Sequence, residues 1–351
     1  MTARFDAQSL ELLVEQILVG AGADEQDAGV VANNLVGANK RGIDSHGVLR
    51  LQAYMTAATE GQIDMKAKPV VVSETPGTAV VDAQHGWGAP SGAFAMNLAI
   101  QKAANTGIAA VGVKNSNHFG YAAYYGMMAV ERNMIGLAFT NSKKNQAPWG
   151  AKQSYFGTNP ICVCIPAAKE RPIVYDGATT VVAQGKIMLA RKKHAEIPPT
   201  WALDKTGKPT TDPNTALEAG LLMPMGTYKG ADLALVVDVL SGVLPGGVFG
   251  PVVAMPALLG NRNRIGHFFM ALDLKAFGDV EEFKANIDKM VQDIKKLPIA
   301  DGFERAYLPG EPEFELEEER MKQGIPVVDD VLTELKNLAA KFGVKMPEPI
   351  A

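Results

Sequence analysis

Cysteine is nearly missing from this chain, and histidine is scarce: 351 residues carry two Cys and five His. The two cysteines, Cys162 and Cys164, stand in the run ICVCI. On a strand that spacing points both side chains the same way, and the gap is too short for an easy disulfide, so both read as core. No further Cys exists to complete a zinc cluster or a disulfide framework, and a reducing compartment follows. One-sided charge is missing too. Lys and Arg total 34 against 38 Asp and Glu, a net charge of −4, which argues against nucleic acid or an anionic membrane as the main partner. No apolar run reaches the ~20 residues of a membrane helix. The opening MTARFDAQSLELLVEQ is charged and amphipathic and lacks the apolar centre of a signal peptide. A cytoplasmic protein is expected. Absent as well are G-x-G-x-x-G after a strand, the P-loop, G-x-S-x-G and H-E-x-x-H, which removes the usual Rossmann site, and no metal site is evident.

What is present is enough chain for two lobes. Apolar residues at helical spacing predict helices over 6–20 and from Asp24 to Asn39. Asp44 or Ser45 can cap a third helix reaching Thr59, with His46 in its first turn and Arg50 and Tyr54 following on one face. From about residue 68 short β-branched runs take over: PVVVSE, TAVVDA, IAAVGVK, MIGLAFT, PICVCIP and PIVYDGA, with helices near 89–105 and 121–132. The mixture predicts an α/β fold. The turn-laden IPPTWALDKTGKPTTDPNTA follows, long for a loop and therefore expected to be functional or well packed. A helix over 229–243, a strand over 265–273 and helices over 279–297 and 327–342 complete the reading.

Four clusters of polar residues stand in unusual places. In RGIDSHGVLRL, His46 at a helix start would feel the positive dipole end and stay neutral, able to accept a proton, while Arg50 offers a planar fork for a carboxylate. NSNHFGY, with His118, follows a strand and opens a helix, where α/β proteins place ligands. FGTNP, DGATT and Gly185-Lys186 form the third cluster, small residues that let a backbone approach a pyrophosphate. GTYKG, carrying Tyr228 and Lys229, opens a helix whose free N–H groups suit an anion. The same residues also make plain caps and turns. His85 and His194 read as structural or solvated, and His267 as a core or interface residue.

These blocks, in this order, resemble the malate/L-lactate dehydrogenase-like family of NAD(P)-dependent oxidoreductases, with sulfolactate and ureidoglycolate dehydrogenases nearest in pattern. The resemblance runs from RGIDSHGVLRL through SNHFGYAAYY, FGTNPICVCIP, DGATTVVAQGK, YKGADLALVVDVLSGVL and GHFFMALD to AYLPGEPE. It implies a sulfolactate-dehydrogenase-like fold: a non-Rossmann NAD(P)-binding domain over 71–274, and a helical substrate lobe from 1–70 and 275–351. It implies NAD or NADP, NAD being the first choice, and a homodimer with its active site near the subunit interface. His46 or His118 would be the proton donor and acceptor, with Ser45 assisting. Arg50, Lys143 and Tyr54 would meet a small anionic substrate. His118, Gly120, Ser142, Asp176, Gly177, Ala178, Lys186, Tyr228, Lys229, Pro309, Gly310 and Glu311 would contact the cofactor. The implied reaction is reversible hydride transfer on a small 2-hydroxy acid of malate, lactate or sulfolactate type. Ureidoglycolate or cyclic-imine chemistry is the alternative. Lys143 stands where ureidoglycolate dehydrogenase has an acidic residue, which points to a second anionic group on the substrate.

Overall fold

The computed structural model describes residues 3–192 and 194–350. A short strand β1 (Ala3–Phe5) leads into helices α1 (Ala7–Gly20) and α2 (Glu25–Lys40). Both helices start on aspartate caps: Asp6 accepts from the Ser9 N–H and Asp24 from that of Gln26. After two 3₁₀ turns comes α3 (Leu51–Thr59). The β-branched runs then become β2 (Val70–Glu74), β3 (Thr78–Asp82), β4 (Ile108–Ser116), β5 (Met134–Thr140), β6 (Ile161–Ile165) and β7 (Ile173–Gly177), with α4 (Gly88–Thr106) and α5 (Ala123–Val130) between them.

Past β7 the chain forms α6 (Gln184–Lys192), β8 (Ala202–Leu203), α7 (Pro213–Ala219), β9 (Leu221–Leu222) and α8 (Tyr228–Asp238), which winds on into a π-helical turn, Val239–Val243. Strand β10 (Ile265–Asp273), helices α9 (Val280–Lys295) and α10 (Glu311–Gln323), strand β11 (Ile325–Val327) and α11 (Asp329–Phe342) follow.

Seven strands make one sheet in the order β2-β3-β4-β10-β5-β6-β7; β3 and β4 run parallel and the other neighbours antiparallel. Side chains alternate across it. Val111, Val113, Ala138, Phe269 and Ala271 face α4 and α5, while Phe139 and Phe268 face Val237 of α8. Cys162 and Cys164 lie in the first of these cores as free thiols, as the sequence predicts. A second core joins α1, α2, α3 and α11, and is laced by the antiparallel pair β1–β11. The Pro/Thr-rich segment is packed, one of the two outcomes expected: its Ile197, Ala202 and Ala216 join Val182, Ile187 and Leu222 in a small core.

One expectation fails, and several elements, α6, α7, β8 and β9 among them, lie outside the sequence reading. The sequence predicts one helix from Asp44 or Ser45 to Thr59, but the α-helix begins only at Leu51. Gly47 is extended there (φ −85°, ψ −153°), and a Cβ on it would come within 2.2 Å of Asn39 Oδ1. Helix α10 is absent from the sequence reading, because its run EPEFELEEERMKQ shows too little apolar periodicity. Strands β1 and β11 are missed too, being three residues each.

Candidate active site

His46 sits on the 3₁₀ turn Asp44–His46, and that turn is held from two sides. Asn39, buried on α2, donates to Asp44 Oδ1 at 2.6 Å and accepts the Val48 N–H at 2.8 Å. Arg320 of α10 grips the Asp44 carboxylate with two N–H groups, at 2.6 and 2.9 Å. Asp44 is therefore an anchor and caps no helix. The dipole argument for a neutral His46 falls with the helix. Burial and the Arg50 guanidinium instead push its pKa down to about 4, in that order. The neutral imidazole expected from the sequence is present for a different reason.

Five predicted residues meet at this turn. Ser45 Oγ lies 2.9 Å from His46 Nδ1, and Arg50 Nε donates to the Ser45 carbonyl at 2.8 Å. His118 comes from the turn after β4 and stacks near His46, with ring centres 5.5 Å apart. Tyr54, buried on α3, puts its hydroxyl 2.6 Å from His118 Nδ1. The Gly120 N–H reaches the same nitrogen at 3.2 Å. Burial drives the His118 pKa well below the usual imidazole value, with Arg50 and His46 adding to it.

These side chains line a cleft of about 440 Å³, together with Ser142, Lys143, Asn145, Thr158 and Gly185. That size suits a small ligand. Ser142 is fixed by Asn159 Oδ1, which accepts its N–H at 3.0 Å, and its Oγ lies 3.3 Å from Thr158 Oγ1. Asn145 Oδ1 is buried and has no protein partner. Asn263 lines the cleft as well and steadies Asn117 at 3.1 Å. Sequence reasoning missed Asn145 and Asn263; neither sits in a run with any signal beyond polarity. Among the described residues no Asp or Glu lines the cleft, whereas Arg50 and Lys143 do.

The other predicted residues lie elsewhere. Asp176, at the end of β7, accepts the Ala123 N–H at 2.8 Å, and burial raises its pKa to about 6. It lines a separate cavity of about 350 Å³ with Arg41, Pro309 and Gly310. Gly177 and Ala178 follow it in the chain. Lys186 is exposed on α6, and Tyr228 and Lys229 are exposed at the start of α8. Glu311 is engaged locally, accepting the Leu308 N–H at 3.1 Å and pairing with Lys295 at 3.0 Å. Among the described residues no cluster of three metal-ligating side chains occurs, and no helix is long and apolar enough to cross a membrane.

Comparison with known proteins shows the family and the fold. Residues 5–336 match the model of the family described as malate/L-lactate dehydrogenase. The chain is 40% identical to a malate dehydrogenase of Pyrococcus abyssi, over 97% of this chain and 96% of that one. It is 38% identical to an L-sulfolactate dehydrogenase of Methanocaldococcus jannaschii, over 96% and 97% of the two chains. Its fold superposes on the crystal structure of a malate dehydrogenase from Entamoeba histolytica with a TM-score of 0.96 at 31% identity, covering 99% of this chain and 100% of the other.

Proposed function

Because the chain belongs to the malate/L-lactate dehydrogenase family, it is a nicotinamide-dependent oxidoreductase of 2-hydroxy acids, and we propose that its substrate carries a second anionic group. The observation that carries this is the charge of the cleft: Arg50 and Lys143 line it, and no carboxylate does. A dicarboxylate or a sulfonated hydroxy acid would meet one cation at each end. Arg50 is already steered by its Nε–H bond to the Ser45 carbonyl, which leaves its terminal nitrogens for the carboxylate beside the reacting carbon. That fixes the carbinol carbon, which is catalysis by positioning. A buried neutral imidazole then takes the hydroxyl proton, a contribution of ~10²–10⁴-fold.

The residues present fit a nicotinamide cofactor. The unpaired Asn145 Oδ1 is an acceptor matched to a carboxamide N–H, and Ser142 and Thr158 add hydroxyls on the same wall. When bound, the nicotinamide ring supplies the hydride acceptor or donor. We assign its remaining contacts to Gly120, Asp176, Gly177, Ala178, Lys186, Tyr228, Lys229 and the turn Pro309-Gly310-Glu311, and take NAD before NADP. A homodimer is part of this reading: Leu235, Val236, Val239, Val243 and Leu244 leave one side of α8 and its π-helical extension apolar and exposed, a face suited to a second copy. The free, buried thiols of Cys162 and Cys164 suit a reducing, cytoplasmic setting.

The test is nicotinamide absorbance with NADH and NADPH in turn against pyruvate, oxaloacetate and sulfopyruvate. Lys143→Ala should lower kcat/KM for the two doubly anionic acids by about tenfold, the scale of one charge-assisted hydrogen bond, and leave pyruvate unaffected. Equal losses on all three would remove Lys143 from substrate selection.

A further inference from the structure

We propose that Arg320 of α10 is a positioning residue: from outside the cleft it sets the turn that carries Ser45, His46 and Arg50 together. The inference rests on the functional reading above and adds to it a residue that touches neither substrate nor cofactor.

The turn has little to hold it from within. It is two short 3₁₀ segments, Asp44–His46 and Val48–Arg50, separated by the extended Gly47, and neither segment has a side-chain cap. Such segments make poorer hydrogen bonds than an α-helix. Its cleft-lining groups are tied to one another, Ser45 Oγ to His46 Nδ1 and Arg50 Nε to the Ser45 carbonyl, so a shift of the turn moves all three as a body. Among the described residues, the side-chain hydrogen bonds that join it to other elements come from Asn39 and Arg320. One guanidinium spans both anchors: besides its two bonds to the Asp44 carboxylate, Arg320 donates to the Asn39 carbonyl at 2.5 Å. A two-pronged pair of this kind fixes orientation as well as distance.

Helix α10 does not depend on Arg320 in the same way. Its Phe314 ring lies against two guanidinium groups, those of Arg41 and Arg171, 4.4 and 5.5 Å from the ring centre. Glu317 and Glu318 pair with the same two arginines. These contacts keep α10 seated when Arg320 is replaced, and with it the turn Pro309-Gly310-Glu311 at its start. Asp44 has no such reserve: without Arg320 its carboxylate keeps the Asn39 amide as its donor. The loss is therefore local. His46 and Arg50 drift together, and a misplacement of about 1 Å can cost about 10²-fold in rate.

Steady-state kinetics on paired variants test this. Arg320→Met should lower kcat/KM for the 2-hydroxy acid by roughly 10- to 100-fold, with NADH affinity, read by fluorescence titration, retained. Asp44→Asn keeps an acceptor for Asn39 and gives up the charge, and it should lose a comparable amount. The double variant should lose little more than Arg320→Met alone, because the pair acts as one unit. Arg171→Met removes a different tie to α10 and leaves the turn gripped, so it should keep kcat/KM. Losses that multiply in the double variant, an equal loss in Arg171→Met, or near-normal turnover in Arg320→Met would each overturn the proposal. A parallel loss of NADH affinity in Arg320→Met would overturn it too, since α10 as a whole would then have moved.

Histidine NMR gives an arm that needs no turnover, with His46 assigned through His46→Gln. In the wild type, burial beside Arg50 should keep that ring from titrating between about pH 5 and pH 8. In Arg320→Met water reaches the loosened turn, and the ring should titrate closer to the ordinary value of about 6.5. In Arg171→Met it should not. The other charged and titratable groups around the ring, Arg50, His118 and Lys143, are the same in these variants. An unmoved His46 in Arg320→Met overturns the proposal. A wild type inactive on every 2-hydroxy acid strikes at the functional reading instead, and the ring titration still decides what Arg320 holds.

Discussion

His267 and the His46–His118 pair are both imidazole sites withdrawn from solvent, and they differ in what becomes of the ring nitrogens. His267, on β10 and fully buried, has Nδ1 2.8 Å from Thr140 Oγ1 and Nε2 2.8 Å from Ser116 Oγ. Its ring lies nearly parallel to Phe119, with centroids 4.6 Å apart. Burial pushes its pKa down to about 3. Thr140 Oγ1 also lies 3.0 Å from the Gly266 carbonyl, so its own hydrogen has a partner and it accepts from the imidazole. Every hydrogen-bonding position of that ring is filled from within. In the cleft, burial depresses both imidazoles in the same way, yet among the described residues no hydrogen bond reaches either Nε2. A low pKa marks both sites. The open nitrogen is what separates a site that can act on a ligand from one that holds the sheet together.

Four experiments press on that difference. The largest effect is expected at His46: replacement by Ala should cut turnover by at least ~10²-fold while cofactor binding, followed by fluorescence titration, persists. A near-normal rate in that variant would erase the distinction between the two sites. Arg50→Met should lower kcat/KM for the hydroxy acid by roughly 10- to 100-fold, because it removes a charge-assisted pair with the carboxylate. Steady-state kinetics with a neutral alcohol analogue, which lacks that pair, should show little further loss.

His267→Leu should do the reverse. It strands the Ser116 and Thr140 hydroxyls in the core and should cost about 1–3 kcal/mol of stability, read as a lower urea midpoint, with kcat retained. The last prediction concerns the pH dependence of that midpoint. His46, His118 and His267 all have depressed pKa values in the folded chain, so the unfolded chain binds protons that they refuse. Stability should therefore fall as the pH drops from about 6.5 toward 4, by at most about 1.4 kcal/mol per pH unit for each histidine. Asp176 opposes this over part of the range: its pKa is raised to about 6, so its proton belongs to the folded state and its contribution fades as pH rises. Urea midpoints at pH 7 and pH 5, with and without His267, should show a shallower slope in the variant.

Much of this was legible in the chain. The strands from Val70 to Gly177 announced themselves because a buried sheet needs β-branched residues, and their bounds moved by only a residue or two. His46, Arg50, Tyr54 and His118 stand out in the sequence's own pattern, Ser142 and Lys143 only through the family resemblance, and all six line the cleft. The turn at His46 was misread because Gly47 is extended to make room for Asn39, a contact eight residues away that no local pattern encodes. The role of Tyr54 was hidden for the same reason. As a residue on the face of a helix it looked like a substrate contact, and its hydroxyl is committed to a histidine 64 positions away. The strand order, with β10 inserted between β4 and β5, depends on pairings that alternation cannot choose between.

The clasp of β1 against β11 carries a consequence for how the molecule comes into being. Phe5 pairs with Ile325, and the core that Phe5 shares with α1 and α2 also takes in Val331, Leu335 and Leu338. A ribosome delivers the first of these long before the last. The sheet, built from contiguous strands apart from β10, can assemble while the first two helices still wait with their apolar faces uncovered. The turn bearing His46 is gripped by Arg320 of α10, so it too stays slack until the final stretch of chain emerges. Maturation thus ends at the cleft, and a nascent chain stopped short of α10 should carry the sheet without a finished turn at His46.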